Sequence, residues 1–224
     1  MTIAAVRNDD RQLPAEPLTT ETLLVAVDEL AARDADLRAV TERFGPPPLW
    51  ERPAGFATLV HIVLEQQVSL ASAQAAFDRL RAHLDPLTPA AFLELDDPTL
   101  LRIGFSRQKA RYVRALAAAL IENSLDLEAV AHLDDDGVEA TLVTVPGIGP
   151  WTATIYRLMV LRRPDAWPAG DMALAQSLGE VKGLGRRPSP DEMQLLAEPW
   201  RPWRAVAARI LWHAYLARRA ARGS

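Results

Sequence analysis

The stretch Leu142-Val143-Thr144-Val145-Pro146-Gly147-Ile148-Gly149-Pro150-Trp151-Thr152-Ala153 lies between two segments whose apolar residues recur at three- and four-residue spacing. It reads as two helices joined by a tight glycine hairpin. Gly147 and Gly149 can each take positive φ and leave no side chain in the way. An anion can then approach the backbone N–H groups that open the next helix, where the helix dipole adds to their attraction. Two glycines alone would also suit an ordinary helix–helix turn with a glycine C-cap.

Working outward, helical spacing dominates and alternating β-branched runs are hard to find, so the chain is expected to be all-α. The first half reads as helices over 21–32, 36–43, 55–66, 70–83, 89–95 and 98–103. The second half adds 107–122, 136–144, 151–161, 172–178, 190–197 and 203–220. Thr88-Pro89, Asp97-Pro98 and Ser189-Pro190 each place a capping side chain before a proline at the first helical position. Ser189 with Glu192 fits a capping box. Phe44 to Gly55, with Pro46-Pro47-Pro48, is the expected crossing between two lobes, and no repeat marks a solenoid.

Composition removes several chemistries. With no cysteine among 224 residues, disulfides, thiolate zinc sites, cysteine nucleophiles and cysteine-ligated iron–sulfur clusters are excluded. A net charge of -4 argues against a polycation that binds phosphate by mass charge. Two stretches are nonetheless purely basic: Arg102 to Arg114, and Arg201, Arg204, Arg209, Arg218, Arg219 and Arg222. Alone they read as solvated helix faces. Met1 to Pro17 reads as a loose tail rather than a signal peptide, and the chain is expected to be cytoplasmic. His61, Glu65 and Asp78 lack metal-ligand spacing and are expected on a solvated helix face, as is Asp134-Asp135-Asp136.

The full hairpin string, with its apolar flanks, resembles the helix-hairpin-helix motif of DNA-binding proteins. By that resemblance Pro146, Gly147, Ile148, Gly149, Trp151 and Thr152 would hold a DNA phosphate without reading sequence. The main-chain carbonyls of Val143, Val145 and Ile148 would accept a monovalent cation, Na+ or K+. One helix further on stands Pro168-Ala169-Gly170-Asp171. An isolated Gly-Asp before a helix is usually an N-cap. In this order, however, the pattern resembles the helix-hairpin-helix glycosylases, specifically the 3-methyladenine DNA glycosylase II family. Leu64-Glu65-Gln66-Gln67-Val68-Ser69, Gly104-Phe105-Ser106-Arg107-Gln108-Lys109-Ala110 and Trp200-Arg201-Pro202-Trp203-Arg204 extend the resemblance over most of the chain, with Trp212 beyond them.

That resemblance implies a two-lobed helical fold with the active site in the cleft. One lobe would span about 53–163, and the other about 18–52 with 164–224. It implies removal of flipped-out alkylated purines such as 3-methyladenine or 7-methylguanine, leaving an abasic site in base excision repair. Asp171 would be the catalytic carboxylate, stabilising positive charge that builds on the sugar. Trp151 stands where lyase relatives place a Schiff-base lysine, and neither Lys109 nor Lys182 lies in an equivalent motif, so no strand cleavage is expected. Trp151, Tyr156, Trp203 and Trp212 are the candidate walls of the base pocket, with core packing the default for Tyr156 and Trp212. Gln67 is the candidate wedge that fills the gap left by the flipped base.

The expected partner is damaged double-stranded DNA, met by a monomer in a bacterial, nucleoid-associated setting. Glu65 departs from the family pattern and would oppose phosphates unless it turns away. The chain is also short for the family, without room for a large N-terminal appendage, so pocket depth is expected to differ. Two rivals share the hairpin: the same fold acting on deaminated or oxidised bases, and a DNA-binding module without turnover. A helical scaffold unrelated to DNA would make the hairpin and both basic stretches accidental.

Overall fold

The structure is a computed structural model that describes residues 16–222, so most of the expected N-terminal tail, Met1 to Ala15, lies outside the described residues. Among the described residues there are only helices, in the order α1 (Thr20–Arg33), α2 (Ala35–Phe44), α3 (Phe56–Glu65), α4 (Leu70–His83), α5 (Pro89–Leu93), α6 (Asp97–Ile103) and α7 (Arg107–Ile121). They continue as α8 (Leu127–Ala131), α9 (Asp135–Leu142), α10 (Pro150–Met159), α11 (Met172–Val181), α12 (Pro190–Ala197), a 3-10 turn over Glu198–Trp200, and α13 (Arg204–Arg222). No helix among them is long and apolar enough to cross a membrane.

Local chemistry sets the ends. Thr88 and Ser189 cap α5 and α12 as expected, and Glu192 closes the Ser189 box with a 2.8 Å bond back to its N–H. Asp96, not Asp97, caps α6, accepting the Thr99 N–H at 2.8 Å while Asp97 enters the helix. Helix α8 was not expected; five residues make little more than one turn, too short to display a period, and only the Asp126 cap signals it.

The helices pack in two groups. Helices α1, α2, α11, α12 and α13 pack among themselves, and α3 through α10 do the same. The chain crosses between the groups in the proline-rich segment after α2, and again between α10 and α11.

Arg209 pins this crossing and corrects the reading of the C-terminal arginines as a solvated face. Its side chain on α13 is fully buried. It donates to the carbonyls of Leu49 at 2.9 Å, Trp50 at 3.2 Å, Ala205 at 3.3 Å and Leu158 at 2.9 Å. Leu158 lies in the last turn of α10, where carbonyls lack intrahelical partners and a cation suits the dipole. Burial lowers the guanidinium pKa to about 10, so it stays charged at neutral pH. Arg209→Met would remove the donor that meets the Leu49, Trp50 and Leu158 carbonyls, while Ala205 keeps its helical N–H partner. We expect a loss of about 3 kcal/mol and a melting temperature lower by roughly 10 °C. A melting point within about 2 °C of wild type would show that water replaces the guanidinium.

Candidate active site

The hairpin opens where α9 ends. The Val145 carbonyl takes the Ile148 N–H at 3.0 Å, closing the turn, and both side chains are buried. Gly147 has φ of 92°, and a Cβ there would fall 2.1 Å from Cγ of Tyr112 on α7. Glycine is therefore required twice, for conformation and for the close approach of the Tyr112 ring. Gly149 differs from expectation. Its φ is -94°, an ordinary extended value, and a Cβ would meet nothing within 4 Å. No packing reason requires glycine at that position, which stands open at the N-terminus of α10. Pro150 has no N–H to lose, and helix geometry leaves those of Trp151 and Thr152 without intrahelical acceptors. The Thr152 hydroxyl is buried and accepts from Gln66 Nε2 at 2.9 Å, so its side chain faces inward.

From Trp151 in the first turn of α10, the chain returns to Asp171, the N-cap of α11. Asp171 Oδ1 accepts the Leu174 N–H at 2.7 Å and Trp212 Nε1–H at 3.1 Å. Oδ2 accepts Trp151 Nε1–H at 3.2 Å. Three helices, α10, α11 and α13, thus converge on one half-buried carboxylate. The three residues before it form, with Asp171 itself, a turn closed by Asp171 N–H on the Pro168 carbonyl at 2.9 Å.

The segment feeding that turn is held from behind. Asp165 accepts Arg204 through both of its oxygens, at 2.8 and 2.7 Å, and also pairs with Arg201. The Pro164 carbonyl takes the Ala205 N–H at 2.9 Å. Trp167 is buried edge-on against Trp200, with ring centroids 5.6 Å apart. Sequence reasoning had no role for Asp165 or Trp167, and Trp200-Arg201-Pro202-Trp203-Arg204 entered only as resemblance. Their partners lie more than thirty residues away, which no local signal reveals.

Of the four aromatic candidates, the structure brings Trp151 and Trp212 to Asp171. It does not bring the other two. Tyr156 is wholly buried in the core beneath α10, where burial pushes its phenol pKa up to about 12. Trp203 turns to α1, its indole donating to Glu29 at 2.7 Å. The two lysines of the chain are both occupied: Lys182 Nζ pairs with Asp34 at 2.7 Å and Asp36 at 2.9 Å, and Lys109 Nζ donates to the Leu64 carbonyl at 2.7 Å.

Gln67 sits in the turn after α3, exposed, with φ of 58°. Glu65, two residues earlier, is not on a solvated face. It is buried, and its carboxylate accepts from the two terminal guanidinium nitrogens of Arg52 at 3.0 and 2.6 Å, so its charge is met inside the protein. His61 lies 3.6 Å from it and stacks flat on Phe77, while Asp78 is exposed as expected. Asp135 likewise departs from a solvated face: burial pushes its carboxyl pKa up against the pull of Arg157 and Arg163. Asp134 caps α9.

The family model described as HhH-GPD superfamily base excision DNA repair protein matches residues 60–202, from α3 through the hairpin and Asp171 to Pro202. The chain belongs to that superfamily. It is 28% identical over 232 residues to the DNA-3-methyladenine glycosylase of Bacillus subtilis, a match covering 92% of this chain and 75% of that one. A probable bifunctional transcriptional activator/DNA repair enzyme AlkA of Mycobacterium tuberculosis is 34% identical over 204 residues, covering 84% of this chain but 39% of the longer protein. The fold matches that of Schizosaccharomyces pombe 3-methyladenine DNA glycosylase Mag1 in complex with abasic DNA. The TM-score is 0.78 at 24% identity, over 84% of this chain and 95% of that one. An all-helical, two-lobed HhH-GPD architecture is therefore the framework on which Asp171, Trp151 and Trp212 are assembled.

Proposed function

We propose that this HhH-GPD protein is a monofunctional DNA glycosylase of base excision repair. It would hydrolyse the N-glycosidic bond of flipped-out alkylated purines of the 3-methyladenine and 7-methylguanine type. The observation that carries the reading is the Asp171 carboxylate, held between the Trp151 and Trp212 indoles one helix beyond the hairpin. The relatives named DNA-3-methyladenine glycosylase support the substrate class.

In the reaction the bond between C1′ and the base nitrogen breaks, and the base keeps the electron pair. A cationic alkylpurine therefore departs neutral, while positive charge passes to the sugar ring. A carboxylate accepts at about four positions, of which Leu174, Trp212 and Trp151 fill three on Asp171. The open position on Oδ2 would face C1′ and oppose the growing charge; water then adds at C1′ and releases its proton. Because the carboxylate is already oriented, no reorganisation is needed as charge develops. The indole faces of Trp151 and Trp212 would flank a cationic base by stacking and cation–π attraction.

Damaged double-stranded DNA would be held by the open amides at Gly149, Trp151 and Thr152, with Gln67 filling the gap. The Val143, Val145 and Ile148 carbonyls are hard oxygen donors suited to Na+ or K+. Such an ion would add positive charge beside the phosphate. The two lobes would be 53–163 and 18–52 with 164–224, and the enzyme would act as a monomer.

The test treats duplex DNA with a methylating agent and measures free 3-methyladenine and 7-methylguanine, with deaminated and oxidised duplexes as parallel substrates. Release from the methylated duplex alone is expected; none would sink the reading. Borohydride should trap no protein–DNA adduct and no strand should be nicked, since both lysines are engaged away from Asp171. A trapped adduct would refute the monofunctional assignment.

A further inference from the structure

Three consecutive residues at the end of α3 are each tied to a different element. The Leu64 carbonyl accepts Lys109 Nζ from α7 at 2.7 Å. The buried Glu65 carboxylate accepts from both terminal guanidinium nitrogens of Arg52 in the segment before α3. Gln66 then breaks the helix, and its side-chain nitrogen donates twice, to the Gly147 carbonyl and to Thr152 Oγ1, both at 2.9 Å. A carbonyl can only accept, so the Gly147 bond fixes which end of the Gln66 amide points at the hairpin. The two protons of one nitrogen thus reach both arms of the hairpin, the glycine turn and the first turn of α10.

The next residue is held differently. Among the described residues Gln67 makes no side-chain bond; it is exposed and adopts the left-handed conformation that non-glycine residues enter at a cost of about 1 kcal/mol or more. Val68 and Leu70 beside it are 46% and 61% exposed. Such a conformation persists only where its surroundings overdetermine it. Among the described residues, Gln66 supplies the hydrogen bonds that join this turn to the hairpin.

We infer that Gln66 is a positioning residue, which couples the phosphate-holding hairpin to the wedge turn and keeps Gln67 projected at a fixed distance from the bound backbone. The inference rests on the reading of the hairpin and Gln67 given above. Without the two bonds, residues 66 and 67 can relax to an ordinary backbone conformation and the wedge withdraws. Hairpin binding would survive, since its amides are untouched.

The experiment compares wild type, Gln66→Met, Thr152→Val and Gln67→Ala as full chains. One readout is the fluorescence of 2-aminopurine opposite a stable tetrahydrofuran abasic analogue, at saturating protein, which reports gap filling whatever base the enzyme excises. The others are affinity for that duplex with its salt dependence, single-turnover excision from methylated duplex, and thermal melting. For Gln66→Met we expect loss of the fluorescence change and about a tenfold slower excision, the effect of losing one to two buried hydrogen bonds. The salt slope should be unchanged. Thr152→Val removes one acceptor at constant shape and should give a smaller loss of the same kind, about threefold; it also keeps the test decisive if Gln66→Met fails to fold. A fluorescence change kept by both variants, while Gln67→Ala loses it, overturns the coupling and leaves the wedge standing. Equal loss of affinity, melting temperature and fluorescence in Gln66→Met also overturns it, as a merely structural role. If Gln67→Ala keeps the full signal, the wedge reading itself falls, and the coupling with it.

Discussion

Asp171→Asn is expected to slow base release by about two to three orders of magnitude, the range seen when one preorganised electrostatic group is removed from a transition state. Duplex affinity and melting should stay near wild type. The geometry makes this substitution sharper than a loss of charge. Oδ1 serves both the Leu174 N–H and the Trp212 indole, so the single oxygen of asparagine belongs there. The NH2 then lands at the Oδ2 position, opposite Trp151 Nε1–H. Two donors face each other, and the Trp151 indole must turn away. Single-turnover release of 3-methyladenine, measured beside binding to a tetrahydrofuran duplex, separates chemistry from recognition. Release within about tenfold of wild type would remove Asp171 from the centre of the reaction.

The second large effect separates two glycines that look alike in sequence. Gly147→Ala places a methyl group 2.1 Å from Tyr112 Cγ, in a residue with φ of 92°. Conformational strain and overpacking together should cost roughly 3–5 kcal/mol. The hairpin, packed between α7 and the Gln66 amide, should lose its shape, and DNA binding should fall with stability. Gly149→Ala meets no neighbour and has a permitted φ. Its stability should be unchanged or higher by roughly 0.4–1 kcal/mol, because alanine narrows the unfolded ensemble. Affinity for duplex DNA should nevertheless drop about tenfold, since the methyl group stands at the helix start where a phosphate would approach. Paired melting and binding curves check both variants. A Gly149→Ala protein that binds DNA as wild type does would contradict the phosphate-holding role of the hairpin.

These expectations show where the amino-acid sequence is informative. Helices were legible because their signals are local: the apolar period of α4, over Leu70–His83, and the Ser189–Glu192 box each complete within one helix. Errors came where neighbouring residues compete for one local role. Asp96 and Asp97 both precede a proline-led turn, and the backbone gave the cap to the first. Gln66 and Gln67 are chemically identical neighbours, yet one is bonded into the hairpin and the other projects into solvent. Because successive residues of a turn point in different directions, composition cannot tell which is which. Glu65, Asp135 and Arg209 were all expected to face water because charge is costly to bury. Each is buried or half-buried with an opposing group drawn from elsewhere in the chain: Arg52, Arg163 and the carbonyl of Leu158.

The sequence by itself determined the helical class and the hairpin, since each depends on residues within a dozen positions of one another, and it carried, in segments strung in order from Leu64 to Trp212, the resemblance that places a carboxylate one helix beyond the hairpin. It also determined that Trp151, not lysine, follows the hairpin. Only the tertiary structure decided that Trp151 and Trp212, twenty and forty-one residues from Asp171, donate to its two oxygens, while Tyr156 sinks into the core and Trp203 turns to Glu29. The reason is physical: an indole's periodic position gives the face of its own helix, but its hydrogen-bond partner depends on how α10, α11 and α13 cross.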